Sequence, residues 1–328
     1  MGAEGRPTQV VVAQELVGQS RLVSQLALAI SASRLPRSVL LSGPSGSGRK
    51  TVASRLAVGF AATGNYVQRF SDPVQSWPAN EHNAVRLLEQ GAHPDILMLQ
   101  PTSEKGELTV SQVREIQNFA RVTPSIGRGK VAIISDANAL NRSSSNAILK
   151  VLEEPNSRLA MLLVASNAHM LLPTIRSRCA QFVLEKLTSS QLASIVANSA
   201  LRIDDRVLSL ANGDAGLAID LARIEFDPAE LTEIVQYIFV PDARLLSKYG
   251  VKLAFWEKQL GTHDASRVLV EAIISSDFFK GQRKQLTPQR VDWYLRAAQR
   301  IKQRQILGLD SQSSWLDTLI DLKGFASG

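Results

Sequence analysis

A glycine-rich turn, Gly43-Pro-Ser-Gly-Ser-Gly48, joins the apolar run Ser38–Ser42 to an apolar-striped segment that opens on Arg49-Lys50-Thr51. Strand, tight turn and helix in that order form the first half of a βαβ unit, which commits a chain to parallel strands joined by crossovers. Four more short apolar runs fit the scheme: Asp95–Leu99, Lys130–Ser135, Ala160–Ala165 and Gln181–Leu184. They are nearly uniformly apolar and separated by helix-length segments, as in a parallel sheet covered on both faces. The expected fold class is α/β over residues 1–186.

The intervening segments carry helix signals. Thr109 and Gln112 have the spacing of a capping box, and Val110, Val113, Ile116 and Ala120 follow at helical period. Thr188 and Gln191 repeat the box just after the last strand, which places a domain boundary there. Beyond it the pattern is helical only, giving a small helical domain over 187–225 and a larger one over 226–328. Trp256, Trp293 and Trp315 are the expected core anchors of the latter. Residues 64–91, with Pro73, Pro78, Asn80 and Asn83, read as an irregular insertion. A chain of 328 residues suits two or three domains.

Composition excludes several classes. Cys179 is the only cysteine, so neither an intramolecular disulfide nor a cysteine-built zinc site is available. No apolar run approaches the ~20 residues of a membrane span, and the N-terminal segment lacks the apolar stretch of a secretory signal, so a cytoplasmic protein is expected. The formal charge of +7 suits an acidic partner such as nucleic acid, and equally suits a merely solvated basic surface.

The turn itself has the separation of a phosphate-binding P-loop, with Gly43 and Gly48 bracketing four residues and Gly46 between them. The next two positions depart from it. Arg49 stands where lysine is required, and Lys50 where a hydroxyl would ligate Mg²⁺, an ion that takes oxygen donors. Sliding the pattern by one, to use Lys50 and Thr51, puts Pro44 and Arg49 on the glycine positions and rotates the helix by about 100°. Two readings stay open: a cradle holding ATP or ADP without hydrolysis, and a Gly-rich turn with no nucleotide. A second metal element is altered too. Where P-loop ATPases end a strand in Asp-Glu, this chain has Ser135-Asp136.

Two longer segments carry a resemblance. Ser145-Asn-Ala-Ile-Leu-Lys-Val-Leu-Glu-Glu-Pro155 and Leu171-Leu-Pro-Thr-Ile-Arg-Ser-Arg-Cys179 resemble the delta-prime and gamma/tau subunits of bacterial DNA polymerase III clamp loaders, members of the AAA+ class. Leu16-Val-Gly-Gln19, Leu35-Pro36 and Gly91-Ala-His-Pro-Asp95 match as well. The resemblance implies an AAA+ sheet domain, a helical lid and a C-terminal helical collar, assembled into a five-membered ring. Implied partners are gamma/tau and delta subunits, the sliding clamp and primer–template DNA. It implies that Arg178 is a finger reaching the neighbour's ATP; a surface arginine paired with an acid of its own chain is the plainer reading.

In the same family Ser166 stands at the phosphate-sensing position after the fourth strand, while Gly216 replaces the lid arginine. The four zinc-binding cysteines that many relatives carry near 64–91 are missing, so no zinc is expected. These departures imply the delta-prime type, with no hydrolysis of its own. A gamma/tau-like ATPase and a stand-alone DNA-binding protein are the alternatives. Arg128, Lys130 and Arg142 are candidate DNA contacts by position, and the run Lys280, Arg283, Lys284, Arg290 reads as a solvent-facing loop. Cys179 and His93 are read as structural.

Overall fold

The computed structural model describes residues 16–31, 36–63, 82–101, 106–153, 158–224, 226–239 and 246–260, together with 265, 268, 269, 272, 312 and 315–320. Leu35, residues 64–81, Glu154, Pro155, the Lys280–Arg290 run and Trp293 lie outside them, and the described remainder of the stretch read as irregular, 82–91, instead holds a helix over His82–Glu89. The chain divides into two compact units, Met1–Leu187 and Thr188–Gly328, the second holding both helical segments read from the sequence.

The first unit is built on five parallel strands: β1 (Ser38–Ser42), β2 (Ile96–Leu99), β3 (Lys130–Ile134), β4 (Leu159–Ala165) and β5 (Ala180–Val183), in the order β2-β3-β4-β1-β5. Among the described residues the helices around it are α1 (Ser20–Ser31), α2 (Arg49–Thr63), α3 (His82–Glu89), α4 (Val110–Arg121), α5 (Arg142–Glu153) and α6 (Pro173–Arg176).

The strand composition explains the burial. Successive residues of a strand point to opposite faces, and here both faces are covered. Val39 and Leu41 of β1, Val131 and Ile133 of β3, and Leu162 and Val164 of β4 join the core beneath α1, α2 and α3. Leu40, Ala132, Ile134, Met161 and Leu163 join a second core with α4, α5 and α6. Every residue of β1, β3 and β4 is buried. At the β5 edge the pattern alternates, and Val183 is 66% exposed. A uniformly apolar run is what a two-sided strand needs, and only the edge escapes it.

The second unit contains α7 (Ser189–Asn198), α8 (Asp205–Ala211), α9 (Ala215–Arg223), α10 (Pro228–Phe239) and α11 (Leu246–Leu260). Both capping boxes form: Thr109 on α4 and Thr188 on α7 each accept from the amide three residues on, and the glutamine side chain reaches back. α7, α8 and α9 pack on one another through Leu192, Val196, Val207, Leu210, Leu217 and Leu221. Trp256 is buried in α11 with its ring 4.7 Å from that of Phe226, and Trp315 donates to Glu257 at 2.7 Å.

Candidate functional site

In an open parallel sheet the ligand crevice lies at the carboxyl ends of the strands, where the strand order reverses. Here that point is the end of β1, between β4 and β5. The glycine turn leaves β1 there. Gly43 has φ +154° and its amide donates to the carbonyl of Ala165 at 3.3 Å; a Cβ on it would meet the Leu184 carbonyl oxygen at 2.6 Å. Gly46 and Gly48 take φ +67° and +93°, a region that favours glycine. Ser47 is buried and turns its hydroxyl inward to the Pro44 carbonyl at 2.8 Å.

The turn is braced from below by a residue whose role the sequence did not reveal. Gln19, 3% exposed, donates through Nε2 to the Ser47 carbonyl at 3.1 Å and the Glu185 carbonyl at 2.8 Å, and accepts from the Glu185 amide at 3.1 Å. It ties the glycine turn to the segment leaving β5. Its only signal in the sequence was its place in Leu16–Gln19, which says nothing of a bridge across 166 positions.

Arg49 and Lys50 open α2, and Thr51 follows half-buried in the same turn. Desolvation pushes the Lys50 ammonium below its ordinary pKa and Arg49 pushes the same way, while Asp136 opposes them. Lys50 and Asp136 therefore stand within electrostatic reach of one another. Asp136 itself is exposed, and its carboxylate accepts from the Asn138 amide at 3.0 Å, capping the 3-10 turn Ala137–Ala139 that follows β3. Ser135 beside it is buried, its amide bonded to the Leu99 carbonyl at 3.0 Å.

Ser166, at the end of β4, is gripped by Asn138. Its amide and hydroxyl donate to Asn138 Oδ1 at 2.7 and 2.9 Å, and the Asn167 amide adds a third bond at 3.2 Å. The one proton of the hydroxyl is thus turned toward the protein rather than toward a phosphate. Asn138 is a second residue that sequence reading passed over.

The glycine turn, Arg49, Lys50, Asp136 and Ser166 accordingly gather at one end of the sheet. Backbone amides and two cationic side chains there fit a phosphate. They do not fit Mg²⁺: an ammonium occupies the hydroxyl position, Ser135 is buried in the strand end, and Asp136 is engaged as a cap. No group of three metal-capable His, Cys, Asp or Glu side chains occurs among the described residues. Gly216 is the second residue of α9, capped by Asp214, in the other unit.

Arg178 lies elsewhere. It precedes β5, whose amino end pairs beside Val39, while the glycine turn follows the carboxyl end of β1. Arg178 Nη2 lies 2.7 Å from Glu153 Oε1, and Nη1 donates to the Thr174 carbonyl at 3.0 Å. The plainer reading of this arginine, pairing with an acid of its own chain, describes the geometry found. Cys179 next to it is buried, which pushes its thiol up to about 12 and makes it a poor nucleophile.

Of the candidate DNA contacts, Arg128 and Arg142 are exposed. Lys130 is not: 4% exposed, it holds its ammonium 4.0 Å from the centre of the Phe119 ring. Its charge is therefore turned onto a ring of α4 rather than out to solvent. His93 is buried, with Nδ1 accepting from the Asp95 amide at 3.1 Å.

Comparison with known proteins adds a family. The model for "DNA polymerase III, delta subunit" matches residues 18–188. A DNA polymerase III subunit delta' of Pseudomonas aeruginosa is 37% identical over 142 residues, which are 43% of this chain and 41% of that relative. A DNA polymerase III subunit tau/gamma of Haemophilus influenzae is 32% identical over 184 residues, 56% of this chain and 25% of the relative. This chain therefore spans less than half the length of these curated relatives. A DNA polymerase III gamma subunit-related protein of Thermotoga maritima aligns over 93% of this chain and 99% of its own, with 19% identity and a TM-score of 0.49.

Proposed function

Since this chain belongs to the DNA polymerase III, delta subunit family, we propose that it is a delta-prime-type subunit of a clamp loader, non-hydrolysing itself and offering Arg178 to a neighbouring ATPase subunit. The observation that carries this reading is Lys50. It stands in the first turn of α2, above the glycine turn, at the position where the P-loop pattern supplies a hydroxyl ligand to Mg²⁺. Phosphoryl transfer depends on the metal to neutralise charge between the β- and γ-phosphates, so the loop supports binding of a phosphate group without turnover.

Two further features agree. Ser166 spends its hydroxyl proton on Asn138. Arg178 lies toward the amino end of the sheet, away from its own glycine turn, so its natural target is a phosphate held by another subunit. A planar guanidinium there would pair with two phosphate oxygens and stabilise the charge that develops during transfer. The partners on this reading are gamma/tau and delta subunits, with the sliding clamp and primed DNA engaged by the assembly.

The test has two arms. The isolated chain with Mg-ATP should release phosphate at the background rate. In the complex with gamma/tau and delta subunits on primed DNA, Arg178→Ala should slow the site it serves by about 10³-fold or more, with assembly unchanged by gel filtration. Turnover by the isolated chain that Asp136→Ala abolishes would instead make it a gamma/tau-like ATPase.

A further inference from the structure

Arg178 is held in place by its own chain before any partner arrives. Its amide donates to the Ile175 carbonyl at 3.1 Å, and Ile175 and Cys179 on either side are buried in the core that also takes Val151 and Leu152 of α5. Glu153 is the next residue of α5, so the arginine and the acid that meets it project from one packed block. The contact is specific at both nitrogens: Nη2 to Glu153 Oε1 at 2.7 Å, and Nη1 to the Thr174 carbonyl at 3.0 Å. Each terminal nitrogen thus has one partner in its own chain, in a group that carries five N–H donors.

The pair is nevertheless not sequestered, since the side chains keep 36% and 49% of their exposure. An exposed ion pair of this kind is weak, enough to choose a rotamer and too weak to neutralise the cation. A free arginine at this position would have to give up its rotamer freedom on meeting a phosphate, and one already held does not.

We propose that Glu153 is a positioning residue: its carboxylate fixes the Arg178 guanidinium in the orientation in which it is offered to an anionic phosphate bound by the adjacent subunit. The proposal rests on the reading of Arg178 as a residue acting in trans. It gives a function to the first glutamate of the Leu152-Glu-Glu-Pro155 segment.

The experiment uses the assembled complex on primed DNA and compares wild type, Glu153→Ala, Glu153→Asp, Arg178→Ala and the double variant Glu153→Ala/Arg178→Ala. Misplacing a group that acts on the reacting phosphate costs up to about 10²-fold. Glu153→Ala is expected to lower kcat about tenfold while leaving KM for ATP, assembly and the melting temperature of the isolated chain unchanged. Glu153→Asp should recover part of the rate, and the double variant should be no slower than Arg178→Ala alone, because Glu153 acts only through that arginine. A Glu153→Ala complex as fast as wild type, or faster, alongside a slow Arg178→Ala complex overturns the positioning role and leaves the trans-acting arginine standing. A double variant clearly slower than Arg178→Ala also overturns it. An Arg178→Ala complex at the wild-type rate removes the premise, and the positioning role with it.

Discussion

Gly127 packs so closely on α2 that a Cβ there would lie 2.0 Å from the Ala61 carbonyl oxygen and 2.8 Å from its carbon. Gly129 is similarly placed against the Phe60 ring, at 2.7 Å. The obstacle at Gly127 is backbone, which cannot swing aside as a side chain does. The Arg128 and Gly129 amides also donate to that carbonyl, at 2.8 and 3.2 Å, so the segment cannot retreat without breaking both bonds. Gly127→Ala should therefore lower stability by about 1–3 kcal/mol, the usual range for overpacking, read as a lower urea midpoint at unchanged slope. An unchanged midpoint would mean that residues 125–129 do not pack on α2 in solution.

At the scale of elements, the start of β2 organises the approach to β3. Asp95 has no exposed surface, and its carboxylate accepts three amides: Ser125 at 2.6 Å, Ile126 at 2.8 Å and Gly127 at 2.8 Å. Burial by itself would push this carboxyl up; the three amide bonds and the Lys130 charge outweigh burial and hold it below its ordinary value. His93, two residues earlier, is pushed down by burial against the opposing pull of Asp95, so the folded chain keeps it neutral. Both folded-state values lie below the unfolded ones, so in both cases the unfolded chain binds protons first as pH falls. The His93 contribution is complete above about pH 6.5 and is lost below it, and the Asp95 contribution is complete above about pH 4 and is lost below that. A melting temperature followed from pH 8 to pH 3 should fall in two stages. Asp95→Asn should lower it at pH 7, where three amides lose their ionised acceptor, and should flatten the lower stage. A variant curve parallel to wild type below pH 4 would show that Asp95 does not set the acid limb.

Taken whole, the chain places its sheet within one compact unit, Met1–Leu187. Among the described residues, both apolar clusters that sandwich the sheet are drawn from residues 16–184, within the unit that ends at Leu187. A fragment of residues 1–187 should accordingly unfold in a single cooperative transition, monitored by circular dichroism in urea, with far-ultraviolet and fluorescence curves superimposed. Non-coincident curves would show that the second unit completes the core. The positive charge is likewise not one surface: Lys130 spends its charge inside, and Arg178 spends part of its own on Glu153. Net charge in the sequence counts these equally, and only their surroundings separate them.

Much of this molecule was legible in residue order. The five strands lie within a residue of the apolar runs that announced them, because strands buried on both faces, as β1, β3 and β4 are, must be mostly apolar. The caps at Thr109 and Thr188 are local chemistry between residues three apart, and they formed as read. The glycine turn and the substitutions at Arg49, Lys50 and Ser135 needed nothing but their spacing. What tertiary structure alone decided are contacts between residues far apart in the chain. Gln19 bridges to Glu185, Asn138 turns the Ser166 hydroxyl away from the crevice, Lys130 folds over Phe119, and Glu153 meets Arg178. Period and propensity act over a few residues, whereas the partner of a polar side chain is chosen by which strands lie side by side, and that choice exists only once the sheet has formed.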